Sequence, residues 1–71
     1  MDDILEIVAS ILKKEISFLR ENMDSPGLWN SLTKVEIIMT MEEEFDITFE
    51  ENEIANMNTL NDLVTIVERK R

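Results

Sequence analysis

Three stretches of the chain carry apolar residues at the helical spacing of about 3.6 residues, and this pattern constrains the fold more than any other feature. The first runs from Asp2 to about Arg20, the second from Ser31 to Phe45, and the third follows Thr59. The only proline and the only glycine, Pro26 and Gly27, interrupt the pattern between the first two stretches. The sequence therefore predicts an all-α fold built on three main helices.

The first stretch is predicted to form one continuous helix over residues 2–20. At about 100° per residue, one half of its helical wheel is apolar. This half consists of Ile4, Leu5, Ile7, Val8, Ala9, Ile11, Leu12, Ile16, Phe18 and Leu19. Glu15 is the one charged residue on that side, and Asp2 and Asp3 suit the N-terminal end of the helix dipole. We expect the apolar half to pack on the core.

Residues 21–30 contain Asn, Asp, Ser, Pro and Gly together, which predicts an ordered loop of about ten residues. Most loops in compact domains are shorter, and long ones are more often functional. We expect Leu28 and Trp29 to hold this loop against the core.

The second helix, over residues 31–45, has two neighbouring apolar ridges. The first ridge consists of Ile37, Ile38, Met41 and Phe45, and the second of Leu32, Val35 and Met39. The remaining strip is polar and acidic and consists of Thr33, Glu36, Thr40, Glu43 and Glu44. One layer of neighbours cannot easily cover both ridges in so small a domain. The second ridge is therefore covered either by another helix of this chain or by a group that is not part of the helices.

The last part of the chain is predicted to contain a short helix followed by a longer one. Residues 51–57 form the short helix, with Ile54 and Met57 facing inward. Thr59 and Asp62 have the spacing of a capping box, with Asp in place of the usual Glu or Gln. The apolar face of the final helix consists of Leu60, Leu63, Val64, Ile66 and Val67, and its basic end of Arg69, Lys70 and Arg71. The predicted architecture is a bundle of three main helices plus a short helix before the last one.

Residue composition excludes most kinds of active site. The chain has no cysteine and no histidine, which removes the common zinc sites and the Cys–His and Ser–His catalytic pairs. Its single glycine excludes phosphate-binding loops and dinucleotide fingerprints. Residues 46–57 lack the central glycine and the closing glutamate of a calcium-binding loop. The three glutamates at residues 42–44 follow one another around a helix, so their carboxylates do not converge on one site. We therefore expect neither an enzyme nor a metal site.

The net charge of −9, from sixteen acidic and seven basic side chains, predicts the class of partner. Such a chain should repel nucleic acid and anionic membranes, and should attract proteins with basic patches. No signal peptide is predicted, because Asp2, Asp3 and Glu6 interrupt the apolar run that it needs, and no segment is long enough to span a membrane. We expect a single cytoplasmic domain over residues 1–71.

Ser31 stands directly after the loop that holds the single Gly, Pro and Trp of the chain. One interpretation is structural, because Asn30 is a good N-cap and serine favours helix termini. A second interpretation is an attachment point. A phosphate on this hydroxyl would lie at a helix N-terminus, which favours anions, and the second apolar ridge could receive an apolar group attached to it.

The run "WNSLTKVEIIMTMEEEFDITF", residues 29–49, resembles the acyl carrier protein family, whose signature places Asp-Ser-Leu at the start of the second helix. The tail "MNTLNDLVTIVERK" looks like the last helix of that family, and residues 2–20 look like its first. The resemblance implies that Ser31, flanked by Asn30 and Leu32, carries a 4′-phosphopantetheine arm. A holo-carrier synthase would transfer the arm from coenzyme A with magnesium, and the arm would hold acyl groups as thioesters.

The same resemblance implies two surfaces. Val35, Met39 and Ile54 would line a shelter for the acyl chain, and Glu36 and Glu43 would meet acyl-loading and acyl-transferring enzymes with basic patches. The carrier itself is expected to be a monomer without catalytic activity.

The chain departs from the family pattern at the start of this helix. Asn30 replaces the usual Asp, which keeps a capping residue but removes a charge. Thr33 and Lys34 stand where acidic or small residues are common, so the first turn is less negative. With Trp29 before the motif, the chain looks like the small stand-alone carriers of specialised pathways. The resemblance implies a role in fatty-acid, polyketide or envelope-lipid biosynthesis, and we expect a carrier dedicated to a secondary or envelope-modifying pathway.

Three alternatives remain open on the sequence. The chain could be an aminoacyl carrier of the D-alanyl type, since cargo is not encoded in the pattern. It could also be an acidic helical adaptor that binds a basic partner without modification. The third alternative is a hydrolase that works with carboxylates alone.

Overall fold

The computed structural model describes residues 2–71, and these residues form five α-helices and no strand. The helices are α1 (Asp2–Leu12), α2 (Ile16–Glu21), α3 (Ser31–Phe45), α4 (Glu51–Ala55) and α5 (Leu60–Lys70). The predicted all-α class is confirmed. Met1, which belongs to the predicted domain 1–71, lies outside the described residues.

The predicted continuous helix over residues 2–20 is wrong, because the chain turns between α1 and α2. Lys13 adopts the left-handed backbone conformation, with φ of 58°. The Lys14 N–H then donates to the Ala9 carbonyl at 3.1 Å, the bond that closes a Schellman turn at a helix C-terminus. Glycine usually marks such a turn, and a lysine in its place leaves no signal in the sequence.

The break explains why Glu15 interrupts an otherwise apolar half of the wheel. Glu15 is not inside a helix but is the exposed, extended residue that precedes α2. Leu19 and Phe18 were both predicted for the apolar half, but only Leu19 is fully buried, while Phe18 is 39% exposed. The Lys14 ammonium lies 5.4 Å from the centre of the Phe18 ring.

The core lies where α1, α3 and α5 meet, and it is wholly hydrophobic among the described residues. The first ridge of α3 faces it through Ile37, Ile38 and Met41. All five residues predicted for the apolar face of α5 are buried: Leu60, Leu63, Val64, Ile66 and Val67. The two main amphipathic predictions for α3 and α5 are thus confirmed.

The loop before α3 is fixed at both its apolar and its polar residues. Leu28 and Trp29 are partly buried against the core, as predicted. The Asn61 N–H donates to the Met23 carbonyl at 2.9 Å, and the Asn61 amide donates to the Asp24 carboxylate at 3.2 Å. The loop is therefore held against the start of α5, which fixes the direction from which the chain enters α3.

The predicted short helix is present as α4, although it ends at Ala55 rather than at residue 57. Ile54 is partly buried against the core, and Met57 is buried just beyond the helix. The Glu53 carboxylate accepts the Glu50 N–H at 2.9 Å and the Lys70 ammonium at 2.9 Å. These two interactions, the Glu50 N–H first, hold the pKa of Glu53 below its ordinary value.

The capping box at the start of α5 is confirmed. The Asp62 N–H donates to Thr59 Oγ1 at 3.1 Å, and the Thr59 N–H donates to the Asp62 carboxylate at 3.1 Å. The Asn58 N–H donates to the same carboxylate at 3.0 Å. These donors, that of Asn58 first, lower the pKa of Asp62.

Candidate attachment site at the start of α3

Ser31 is the first residue of α3 and its side chain is exposed. Asn30 precedes it with an extended backbone, and its amide oxygen accepts the Thr33 N–H at 2.8 Å. The Asn30 carbonyl accepts the Lys34 N–H at 2.9 Å. The predicted N-cap is therefore confirmed. Because Asn30 caps the helix, the Ser31 hydroxyl is not needed for that purpose, and it makes no hydrogen bond within residues 2–71.

The loop reaches this position through the one glycine of the chain. Gly27 has φ of +81°, in the left-handed region that residues with a side chain rarely adopt. A Cβ at Gly27 would meet nothing within 4 Å, so the backbone angle rather than space requires glycine here. Two of the three single residues before Ser31 thus have a structural role: Gly27 turns the chain, and Trp29 holds the loop against the core.

A cleft of about 260 Å³ adjoins Ser31. Its walls come from the loop, the first turn of α3 and the segment between α4 and α5. The lining residues are Pro26, Gly27, Trp29, Asn30, Ser31, Lys34, Met57 and Asn58. Sequence reasoning missed this cleft because its walls are distant in the chain, although the spacing of Lys34 from Ser31 puts both on one helix face.

The local electrostatics fit a phosphate ester on Ser31. The first turn of α3 contains no acidic residue, and its cap is the neutral side chain of Asn30. Asn30 takes the N–H groups of Thr33 and Lys34, and the remaining N–H groups of the first turn and the positive end of the helix dipole favour an anion at this position. Among the described residues, no cluster of His, Cys, Asp or Glu is arranged to hold a metal ion.

The second ridge of α3 is left open by the fold. Leu32, Val35 and Met39 are 83%, 53% and 57% exposed. No helix of the described part of the chain covers them. Glu36 and Glu43 are also exposed, and neither carboxylate forms an ion pair within residues 2–71. The ridge and the two carboxylates form one surface that begins beside Ser31, here called the α3 face.

Val35, Met39 and Ile54, the residues predicted for the acyl shelter, line neither the cleft beside Ser31 nor the groove between α1 and α3. Val35 and Met39 belong to the α3 face, whereas Ile54 packs against the core. The cleft beside Ser31 is lined by Met57 instead. A larger groove, of about 590 Å³, lies between α1 and α3 and is lined by Asp3, Glu6, Ile7, Ser10, Ile11, Thr40, Glu44 and Phe45. The proposed shelter stays a prediction.

Within residues 2–71, no helix combines the length and the hydropathy that a membrane span needs.

Comparison with known proteins assigns the family. A family model described as the phosphopantetheine attachment site matches residues 2–67. The chain is 34% identical over 71 residues to acyl carrier protein 3 of Ralstonia nicotianae, covering 96% of this chain and 80% of that protein. It is 38% identical over 65 residues to an acyl carrier protein of Clostridium acetobutylicum, covering 92% and 78% of the two chains. An acyl carrier protein of Exiguobacterium sibiricum is 33% identical over 69 residues, covering 93% and 86%.

These relatives favour an acyl carrier over the D-alanyl-type carrier and the unmodified adaptor. The cofactor is accordingly 4′-phosphopantetheine, for which the attachment-site model is named. The chain belongs to the acyl carrier protein family of phosphopantetheine-bearing carriers.

Proposed function

We propose that Ser31 carries the 4′-phosphopantetheine arm, and that residues 1–71 act as one monomeric, cytoplasmic carrier domain without catalytic activity of its own. The observation that carries the proposal is the exposed Ser31 hydroxyl at the first residue of α3, beside a cap that does not use it. The predicted attachment triplet, Asn30, Ser31 and Leu32, is exposed throughout. A transferase therefore has access to the hydroxyl without local unfolding.

Attachment requires a holo-carrier synthase with magnesium and coenzyme A. A bond forms between Ser31 Oγ and phosphorus, the pyrophosphate bond of coenzyme A breaks, and adenosine 3′,5′-bisphosphate leaves. The hydroxyl proton passes to a base of the transferase. The first-turn N–H groups of α3 then stabilise the phosphodiester charge. The bound group supplies the thiol that holds an acyl chain as a thioester, which a chain without cysteine lacks.

The α3 face is the proposed docking surface for acyl-loading and acyl-transferring enzymes. Its exposed apolar residues, above all Leu32, would fill small pockets, and Glu36 and Glu43 would meet basic patches. Each exposed ion pair contributes on the order of 1 kcal/mol or less, so docking is distributed and reversible. Glu36→Gln should raise the KM of the transferase for this protein at low salt. Glu21→Gln, an exposed carboxylate on α2, is the matched control and should leave that KM unchanged.

The acyl shelter between α3 and α4 forms part of the same proposal. Val35 and Met39 flank the surface that leads from Ser31, and Ile54 is the partly buried residue of α4 that faces the core. Methionine adapts its shape to an apolar guest. Acyl loading should therefore shift the NMR resonances of Met39 and Ile54 more than loading with the bare arm. Equal shifts for the two loaded forms would contradict this shelter.

The test of the attachment residue is a mass measurement. The purified protein is incubated with coenzyme A, Mg²⁺ and a broad-specificity phosphopantetheinyl transferase, beside Ser31→Ala and Ser17→Ala. Ser17 is an exposed serine on α2 and serves as the matched control. The native chain and Ser17→Ala should each gain one phosphopantetheine group, and Ser31→Ala should gain none while keeping its helical circular dichroism. Failure of the native chain with several transferases, including that of its own host, would instead favour the unmodified adaptor.

A further inference from the structure

Lys34 is the one basic residue between Arg20 and Arg69 in a chain of net charge −9. It lies three residues after Ser31 on α3, a spacing that places two side chains on one helix face with about 5–6 Å between Cβ atoms. Lys34 and Ser31 line the same cleft. The backbone of Lys34 is held by the bond from its N–H to the Asn30 carbonyl at 2.9 Å.

The Lys34 ammonium has no acidic partner within residues 2–71. The arginines and Lys70 do have such partners: for example, Arg20 pairs with Asp2 at 2.7 Å, Lys70 with Glu53 at 2.9 Å, and Arg71 with Asp3 at 2.8 Å. Lys34 is nevertheless half-buried, and it lines the cleft beside Ser31. Neither the Asn30 cap nor the first turn of α3 supplies a carboxylate that would compete for it.

We propose that Lys34 binds the phosphodiester of the arm on Ser31 and holds the first part of that arm in the cleft beside Trp29 and Met57. This inference rests on the proposed function of Ser31. A phosphodiester brings one negative charge to a helix end that contains an unpaired lysine and no carboxylate. The cleft would thus order the base of the arm, and a docking enzyme would displace it by offering its own cation.

The test compares the midpoint of thermal unfolding before and after modification, in the native chain and in three variants. Lys34→Gln removes the charge, Lys34→Arg keeps it, and Lys14→Gln removes one exposed cation from the turn between α1 and α2 as a matched control. At low salt, modification should raise the midpoint of the native chain by roughly 2–4 °C more than that of Lys34→Gln, as expected for one surface ion pair in a domain of this size. Lys34→Arg and Lys14→Gln should behave like the native chain.

A second readout uses the native chain alone and needs no variant. The Lys34 side-chain resonances should shift on modification at low salt, and the shift should become smaller near 1 M salt, where the Debye length falls to about 3 Å. An equal rise in midpoint for Lys34→Gln and native protein, or unshifted Lys34 resonances, would overturn the role of Lys34 while Ser31 stays modified. Absence of the added mass on Ser31 would overturn the proposed function itself, and the two failures are therefore distinguishable.

Discussion

Replacing Asn30 by alanine tests whether the Asn30 side chain, and not the Ser31 hydroxyl, caps the N-terminus of α3. The change removes the oxygen that accepts the Thr33 N–H at 2.8 Å. Loss of such a cap typically costs about 1 kcal/mol, within a range of roughly 0.5–2 kcal/mol. In a domain of about 70 residues this lowers the unfolding midpoint by roughly 4–8 °C. Circular dichroism, recorded during thermal unfolding of the unmodified protein, measures this change in the midpoint.

The matched variant is Asn30→Asp, which keeps an acceptor oxygen and adds a charge at the positive end of the helix dipole. Its unfolding free energy should stay within about 1 kcal/mol of the native value. If the missing carboxylate limits recognition by a standard transferase, Asn30→Asp should also be modified faster, and an unchanged rate would remove that idea. A midpoint for Asn30→Ala equal to the native one, with unchanged hydrogen-exchange protection at Thr33, would refute the capping argument.

Three further predictions follow from the fold. Lys13→Gly should stabilise the protein by up to about 1 kcal/mol in urea unfolding, because glycine adopts φ of 58° without strain; a clear destabilisation would contradict the turn between α1 and α2. Leu63→Ala should cost about 2–5 kcal/mol in the same assay, since Leu63 is fully buried, and a loss below about 1 kcal/mol would place it outside the core. The carboxylate of Asp62 has a pKa below its ordinary value of 3.8, so its contribution to stability is present above that pH and is lost as the pH falls through the folded-state pKa. Asp62→Asn should therefore lower the midpoint at pH 7 and flatten its fall in acid; parallel pH profiles would exclude this.

Much of the fold could be read from the sequence because its helix boundaries are marked by side chains. Asn30 and Thr59 are capping residues followed by apolar periodicity, and both helices begin where these residues predict. The turn at Lys13 had no such mark, because a lysine in the left-handed conformation looks like any residue of a solvated helix face. The only sign of this turn in the sequence was Glu15, a charged residue on the apolar side of the helical wheel. The break in the helix explains its position.

The candidate site was predictable in part for the same reason. Ser31 and the second ridge of α3 lie within one helix, so spacing alone placed Leu32, Val35 and Met39 on a common face, and the structure leaves that face exposed. The cleft beside Ser31 could not be predicted, because Met57 and Asn58 reach it only through the packing of α4 and α5. The chemical identity of the acyl cargo depends on partner enzymes, and the residues of the carrier do not encode it.

The most direct test of the central claim is tandem mass spectrometry of the protein purified from its own cells. We expect a phosphopantetheine group on the peptide that contains Ser31, with part of the population carrying a thioester-bound acyl group that hydroxylamine removes. An entirely unmodified chain, isolated from cells in which another carrier protein does carry the arm, would contradict it.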